Sequence, residues 1–153
     1  ANLLGSRTLP EEEQISLMKN LKPSGEGILN IFVGYEDRKY LESNGWVPKA
    51  DYDPRARGWY KKALASNDSV YSEVYEDQGT KQLVVSILKK IVTNGQVVGV
   101  AGVDLALDTF QNQLKDIKVG NSGYAFLVDE KGNFIYHPQL IADSSAGPRL
   151  PNV

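Results

Sequence analysis

Residues 82–105, QLVVSILKKIVTNGQVVGVAGVDL, decide the fold class. Two apolar runs rich in Val and Ile flank Asn94-Gly95, a dipeptide that suits a two-residue hairpin because both central positions need a positive φ. The spacing predicts one strand over 82–93 and a second that returns antiparallel over 97–105. Side chains on a strand alternate between its faces. Val98, Val100, Gly102 and Asp104 therefore share one face, and Val97, Gly99, Ala101 and Val103 the other. An acid on a mostly apolar face is costly unless it is paired or stands in a wet site. Gly102, two positions earlier on that face, omits a side chain where space beside Asp104 is useful to a ligand. A simple cap at the strand end is the competing reading of Asp104.

Toward the N-terminus, residues 70–75 read as another strand, separated from 82–93 by the turn formers Asp77-Gln78-Gly79. Residues 59–65 suit a short helix. Residues 43–58 carry Gly45, Pro48, Pro54 and Gly58 among polar neighbours, an irregular stretch of a length that in compact domains is either functional or mobile. ILNIFVGY, at 28–35, reads as a strand leading through Glu36-Asp37 into Lys39-Tyr40-Leu41. Thr8-Leu9-Pro10-Glu11 opens a helix, and Ile15, Leu17, Met18 and Leu21 give its apolar stripe before Pro23. Toward the C-terminus, a helix over 108–117 starts at Asp108, and 124–128 with 134–137 form a hairpin around Lys131-Gly132-Asn133. The pattern sums to an α+β arrangement, a meander of antiparallel strands with helices set to one side. Residues 1–119 are expected to form one module and 120–153 the beginning of a second, incomplete one. The stretch 143–153, DSSAGPRLPNV, has linker composition.

The balance of 17 Lys+Arg against 19 Asp+Glu, a net charge of −2, argues against nucleic acid or an anionic membrane as partner. With no cysteine, disulfides and thiolate chemistry are excluded, and a single histidine, His137, disfavours a His-rich metal site or a Ser-His-Asp triad. Neither a cofactor nor a metal is expected. The longest apolar run, 97–103, is far short of the roughly 18–20 residues that cross a bilayer. No signal-peptide pattern opens the chain, which reads as a soluble piece of something larger.

The densest chemistry lies in DYDPRARGWY, residues 51–60. Its two arginines, Arg55 and Arg57, offer the planar fork that matches a carboxylate, and Trp59, Tyr52 and Tyr60 add N–H and O–H donors. Unpaired backbone N–H groups at a helix start reinforce an anion site. Equally, Trp59 can be core and the arginines surface charges. Trp46 is either a pocket wall or the anchor of its loop. Asp104 supplies a cationic partner's complement, and Tyr75 with Asp77 closes the preceding strand near it, unless Asp77 is only a turn residue.

The chain resembles the double-Cache sensor domains of bacterial chemoreceptors, sensor kinases and cyclases. The likeness runs from Ile28 to Pro138 and is carried by DPRARGWYKKA, VVGVAGVDLAL and GNSGYAFLVDEKGNFIYHP. It implies a PAS-like module with a central antiparallel sheet flanked by helices. The amino-acid-binding subset carries a tyrosine, Arg-x-Trp-Tyr, then a tyrosine and aspartates, matched here by Tyr52, Arg57, Trp59, Tyr60, Tyr75, Asp77 and Asp104. By that resemblance the Arg-Trp-Tyr group takes a ligand carboxylate, and Tyr75, Asp77 and Asp104 take its ammonium. Arg55 has a supporting role. The resemblance further implies a periplasmic domain of a membrane-anchored, homodimeric receptor. The alternatives are the sensor of a kinase or diguanylate cyclase for an amine or small carboxylate, a ligand-free dimerisation module, and an enzyme using the aspartates for acid–base work. The chain departs from the family at its ends, where only a short part of the long first helix and of the second module is present.

Overall fold

In the computed structural model the described residues are 9–22, 27–115, 117–120, 123–128, 132 and 134–138. The chain separates into two compact units, one ending at Ala106 and the other starting at Leu107. The first holds helix α1 (Glu11–Leu21), strands β1 (Ile28–Tyr35) and β2 (Tyr40–Glu42), a 3-10 turn (Pro54–Ala56) and helix α2 (Gly58–Leu64). Strands β3 (Val70–Tyr71), β4 (Tyr75–Glu76), β5 (Leu83–Thr93) and β6 (Gln96–Ala106) complete it. The second unit contains α3 (Leu107–Lys115) and two small ladders, β7 (Lys118–Val119) with β8 (Gly123–Tyr124) and β9 (Leu127–Val128) with β10 (Phe134–Tyr136).

The expected β5–β6 hairpin forms at Asn94-Gly95, whose φ values of 52° and 79° are those the tight turn requires. The meander does not. The antiparallel sheet runs β2-β1-β6-β5-β3, with β4 also on β5, so the first strand crosses over to lie beside the last. In register, Asn30 faces Asp104 and Phe32 faces Gly102 across β1 and β6, and Ser86 faces Asp104 across β5 and β6. The strand expected at 70–75 is split into β3 and β4, and that expected at 124–128 into β8 and β9.

The helices also lie on both faces of the sheet rather than one. Met18 of α1 packs with Ile31, Val33, Tyr35, Leu41 and Ile91. On the opposite face Trp59, Tyr60 and Ala63 of α2 pack with Phe32, Leu88 and Val100. Each large apolar side chain buried this way contributes about 1.5–3 kcal/mol. These two clusters outweigh the end of α1, where Pro10 caps without a side-chain bond and Glu11, Glu12 and Glu13 merely favour the helix dipole. Thr8, the expected cap, lies outside the described residues. The alternation expected on β6 holds from Val100 to Asp104. Val98 instead packs with the α1-side cluster, near the register shift between Ile91 and Val92.

Candidate ligand-binding site

On the α2 face of the sheet the apolar pattern is interrupted by a row of polar residues. Ser86, Asp104 and Asn30 stand side by side on β5, β6 and β1, each with no exposed surface. Ser86 Oγ donates to Asp104 Oδ1 at 2.6 Å and the Tyr75 hydroxyl donates to the same oxygen at 3.0 Å. Among the described residues Asp104 Oδ2 has no partner. Burial pushes the Asp104 carboxyl up to about 7, only partly offset by the bonds from Ser86 and Tyr75, and the negative charges of Asp77 and Glu42 add to the rise. A carboxylate with one buried oxygen unsatisfied is an acceptor waiting for a donor, and a cationic donor stabilises it best.

Two further acids gather here. Glu42, 2% exposed, accepts from Asn30 Nδ2 at 2.6 Å and from the Trp46 backbone N–H at 2.9 Å. Its pKa too is raised by burial, against the lowering effect of those bonds. Asp77, 6% exposed, accepts at Oδ2 from the backbone N–H and the hydroxyl of Thr80, both at 2.7 Å. The turn role and the inward position of Asp77 thus coexist.

The cation comes from residues 51–60. Asp53 caps the 3-10 turn by accepting from Arg55 N, and its carboxylate clasps the Arg55 guanidinium at 3.0 and 2.8 Å. That pairing holds Asp53 down to about 2 and fixes Arg55 against the backbone oxygen of Glu36. Arg57, two residues on, has no side-chain hydrogen bond or ion pair among the described residues. It lines a cleft of about 290 Å³ together with Trp59, Lys62, Glu73 and Tyr75. Gly34 makes this possible, because a Cβ there would stand 2.7 Å from the Trp59 ring and 2.8 Å from Pro54. The indole and the turn before it therefore lie directly on β1.

Tyr52 is subject to charges of both signs. Burial raises its phenol to about 12; the Arg57 charge lowers it, while Asp77, Asp104 and Glu42 raise it, so the ring lies within the field of both signs. It meets Tyr40 and Trp46 edge-to-face, each at 5.4 Å. Of the residues expected to bind ligand, Tyr75 bonds to Asp104, the charges of Arg57, Asp77 and Asp104 act on Tyr52, and Arg57, Trp59 and Tyr75 line the cleft while Tyr52, Asp77 and Asp104 do not. Trp59 is 6% exposed, packed against Phe32 and Tyr60, and reaches the cleft at its edge. Tyr60 is fully buried and its hydroxyl donates to Glu36 at 2.8 Å, so it supports Trp59 from behind.

The vacancy at Gly102 is not ligand space. A Cβ there would stand 2.2 Å from the Phe32 ring, which fills it. Sequence reasoning passed over Asn30, Tyr40, Glu42 and Ser86. Asn30 and Ser86 were visible as polar residues at inward positions of otherwise apolar strands.

A Cache domain family model matches residues 9–150. The methyl-accepting chemotaxis protein McpC of Bacillus subtilis is 34% identical over 140 residues, 86% of this chain and 21% of the relative. The ligand-binding domain of the Pseudomonas aeruginosa amino acid chemoreceptor PctB, solved with L-Arg, superposes with a TM-score of 0.73 at 32% identity, over 90% of this chain and 58% of that one. The ligand-binding domain of the Pseudomonas fluorescens chemoreceptor CtaA, solved with L-serine, gives a TM-score of 0.75 at 29% identity, over 94% of this chain and 60% of that one. The chain therefore spans about a fifth of that chemotaxis protein's length and about three fifths of the solved domains.

Proposed function

The chain belongs to the Cache domain family, and from that premise we propose that it is the ligand-binding part of a methyl-accepting chemotaxis receptor that takes a small zwitterion, an amino acid. One observation carries this reading: the Arg57 charge and those of three buried acids, Asp77, Asp104 and Glu42, all act on the Tyr52 phenol, and among the described residues neither the Arg57 guanidinium nor Asp104 Oδ2 has a partner. Arg57, with the Trp59 edge, takes the carboxylate, and Asp104, Tyr75 and Asp77 take the ammonium. Residues 1–119 carry this module and 120–153 begin the next. By the same reading the domain is extracytoplasmic, in a membrane-anchored homodimer, and the ligand shifts a receptor equilibrium through its different affinity for two states.

Titration with the twenty standard L-amino acids, each singly, tests the reading. A ligand at a hundred times its dissociation constant stabilises the fold by about 2.7 kcal/mol. Whichever amino acid binds must lose its effect when its amine is acetylated and, separately, when its carboxylate is esterified. Equal binding of either blocked form removes the corresponding pole from the site.

A further inference from the structure

We propose that Trp46 is a positioning residue of this site, fixing Tyr52 and Asp77 relative to one another; this rests on the reading of the site as a ligand pocket. Trp46 is held at its backbone, and its side chain packs on Tyr52 and on Gly79 of the turn that carries Asp77. Its N–H donates to the buried Glu42 carboxylate at 2.9 Å, and Glu42 is in turn tied to Asn30 Nδ2 at 2.6 Å. Asn30 Oδ1 accepts from Ser43 Oγ at 2.8 Å, and Ser43 Oγ accepts from the Ile31 N–H at 3.1 Å. The first residues of the loop are thereby anchored to the sheet. Immediately beyond, the Val47 side chain is 82% exposed.

The indole meets Tyr52 at 5.4 Å and 87°, and Tyr40 at 5.7 Å and 82°. It also lies on Gly79, where a Cβ would stand 3.2 Å from Trp46 Cγ and 3.4 Å from Asp77 Oδ2. Gly79 sits inside the turn whose Thr80 holds Asp77 by two 2.7 Å bonds. One side chain therefore spans two segments, the loop carrying Tyr52 and the turn carrying Asp77, residues that stand twenty-five positions apart. Without it, each recognition group keeps its local bonds and loses its reference to the other. Positioning of this kind acts on the lifetime of a complex more than on its formation.

The test compares the wild-type chain with Trp46→Ala, Trp46→Phe and Gly79→Ala. Dissociation of the standard L-amino acids, each used singly, is followed by stopped-flow, and hydrogen exchange at the Thr80 amide is followed without any amino acid. Trp46→Ala is expected to speed both dissociation and Thr80 exchange about tenfold or more, with association nearly unchanged, and Trp46→Phe to restore both toward wild type. Gly79→Ala, which crowds the indole and leaves the core untouched, is expected to act in the same direction and serves should Trp46→Ala fail to fold. Unchanged Thr80 exchange in Trp46→Ala and Gly79→Ala overturns the proposal, as does a Phe variant no better than Ala. If no amino acid binds the wild-type chain, the ligand reading falls, and Thr80 exchange still decides the role of Trp46.

Discussion

Replacing Asp104 with Asn separates the charge of this residue from its shape. In the folded chain the carboxyl titrates near 7 instead of its ordinary 3.8, because it is buried and Oδ2 has no partner among the described residues. In the unfolded chain it titrates near its ordinary value. Between those two pH values the folded state binds more protons than the unfolded state, so stability falls as pH rises through that window and levels off above it. At about 1.4 kcal/mol for each pH unit, the loss approaches roughly 4 kcal/mol by pH 8. Asn keeps the acceptor for Ser86 and Tyr75 but places an N–H where Oδ2 stands, at a cost of about 1–3 kcal/mol at every pH. Asp104→Asn is therefore expected to be less stable than wild type near pH 4.5 and more stable, by about 1–3 kcal/mol, near pH 8. Urea denaturation followed by tryptophan fluorescence across that range reads the difference directly. Parallel curves for the two proteins would falsify the account of Asp104 as a buried, destabilising acid retained for its ligand.

On the proposed reading the ammonium of a ligand pairs with ionised Asp104, so below about pH 7 binding must release a proton, and affinity should rise up to about tenfold per pH unit before levelling. Calorimetry in two buffers of different ionisation enthalpy checks this, and pH-independent affinity with no proton release removes Asp104 from the site. Arg57→Ala should weaken amino-acid binding by about 2–5 kcal/mol and leave the melting temperature almost unmoved, since Arg57 is unpaired among the described residues. Gly102→Ala, with its Cβ 2.2 Å from the Phe32 ring, should destabilise the chain by about 1–3 kcal/mol or more in chemical denaturation. Tyr60→Phe, which loses only the bond to Glu36, should cost about 1 kcal/mol of stability and change affinity less than about twofold.

What the sequence makes legible follows from how far each signal reaches along the chain. ILNIFVGY and the Asn94-Gly95 hairpin depend on neighbouring residues, and both elements form where expected. Alternation tells which face a side chain takes but not which strand lies alongside. The crossover of β1 to β6 was therefore hidden, and so was the placing of α1 and α2 on opposite faces. The same limit governs the site. Asp104 stands out as an acid in an apolar strand, whereas the need of Phe32 for the space at Gly102 is a relation between strands. Tyr60 shows the limit of reading a motif by adjacency, because successive residues of a helix face different ways and its hydroxyl goes to Glu36. Val98 breaks the alternation where the ladder shifts register, an irregularity that residue types alone do not announce.

The pairing of β1 with β6 has a kinetic implication. Asn30 and Asp104, neighbours in the finished sheet, are separated by nearly three quarters of the first unit's length, and contacts between such distant positions form slowly because a long loop must close first. The β5–β6 hairpin can zip early from its own turn, while β1 and its short partner β2 must wait for a docking edge. The polar row of Ser86, Asp104 and Asn30 straddles that seam, so a chain in which only the hairpin has formed lacks the arrangement that the proposed site needs.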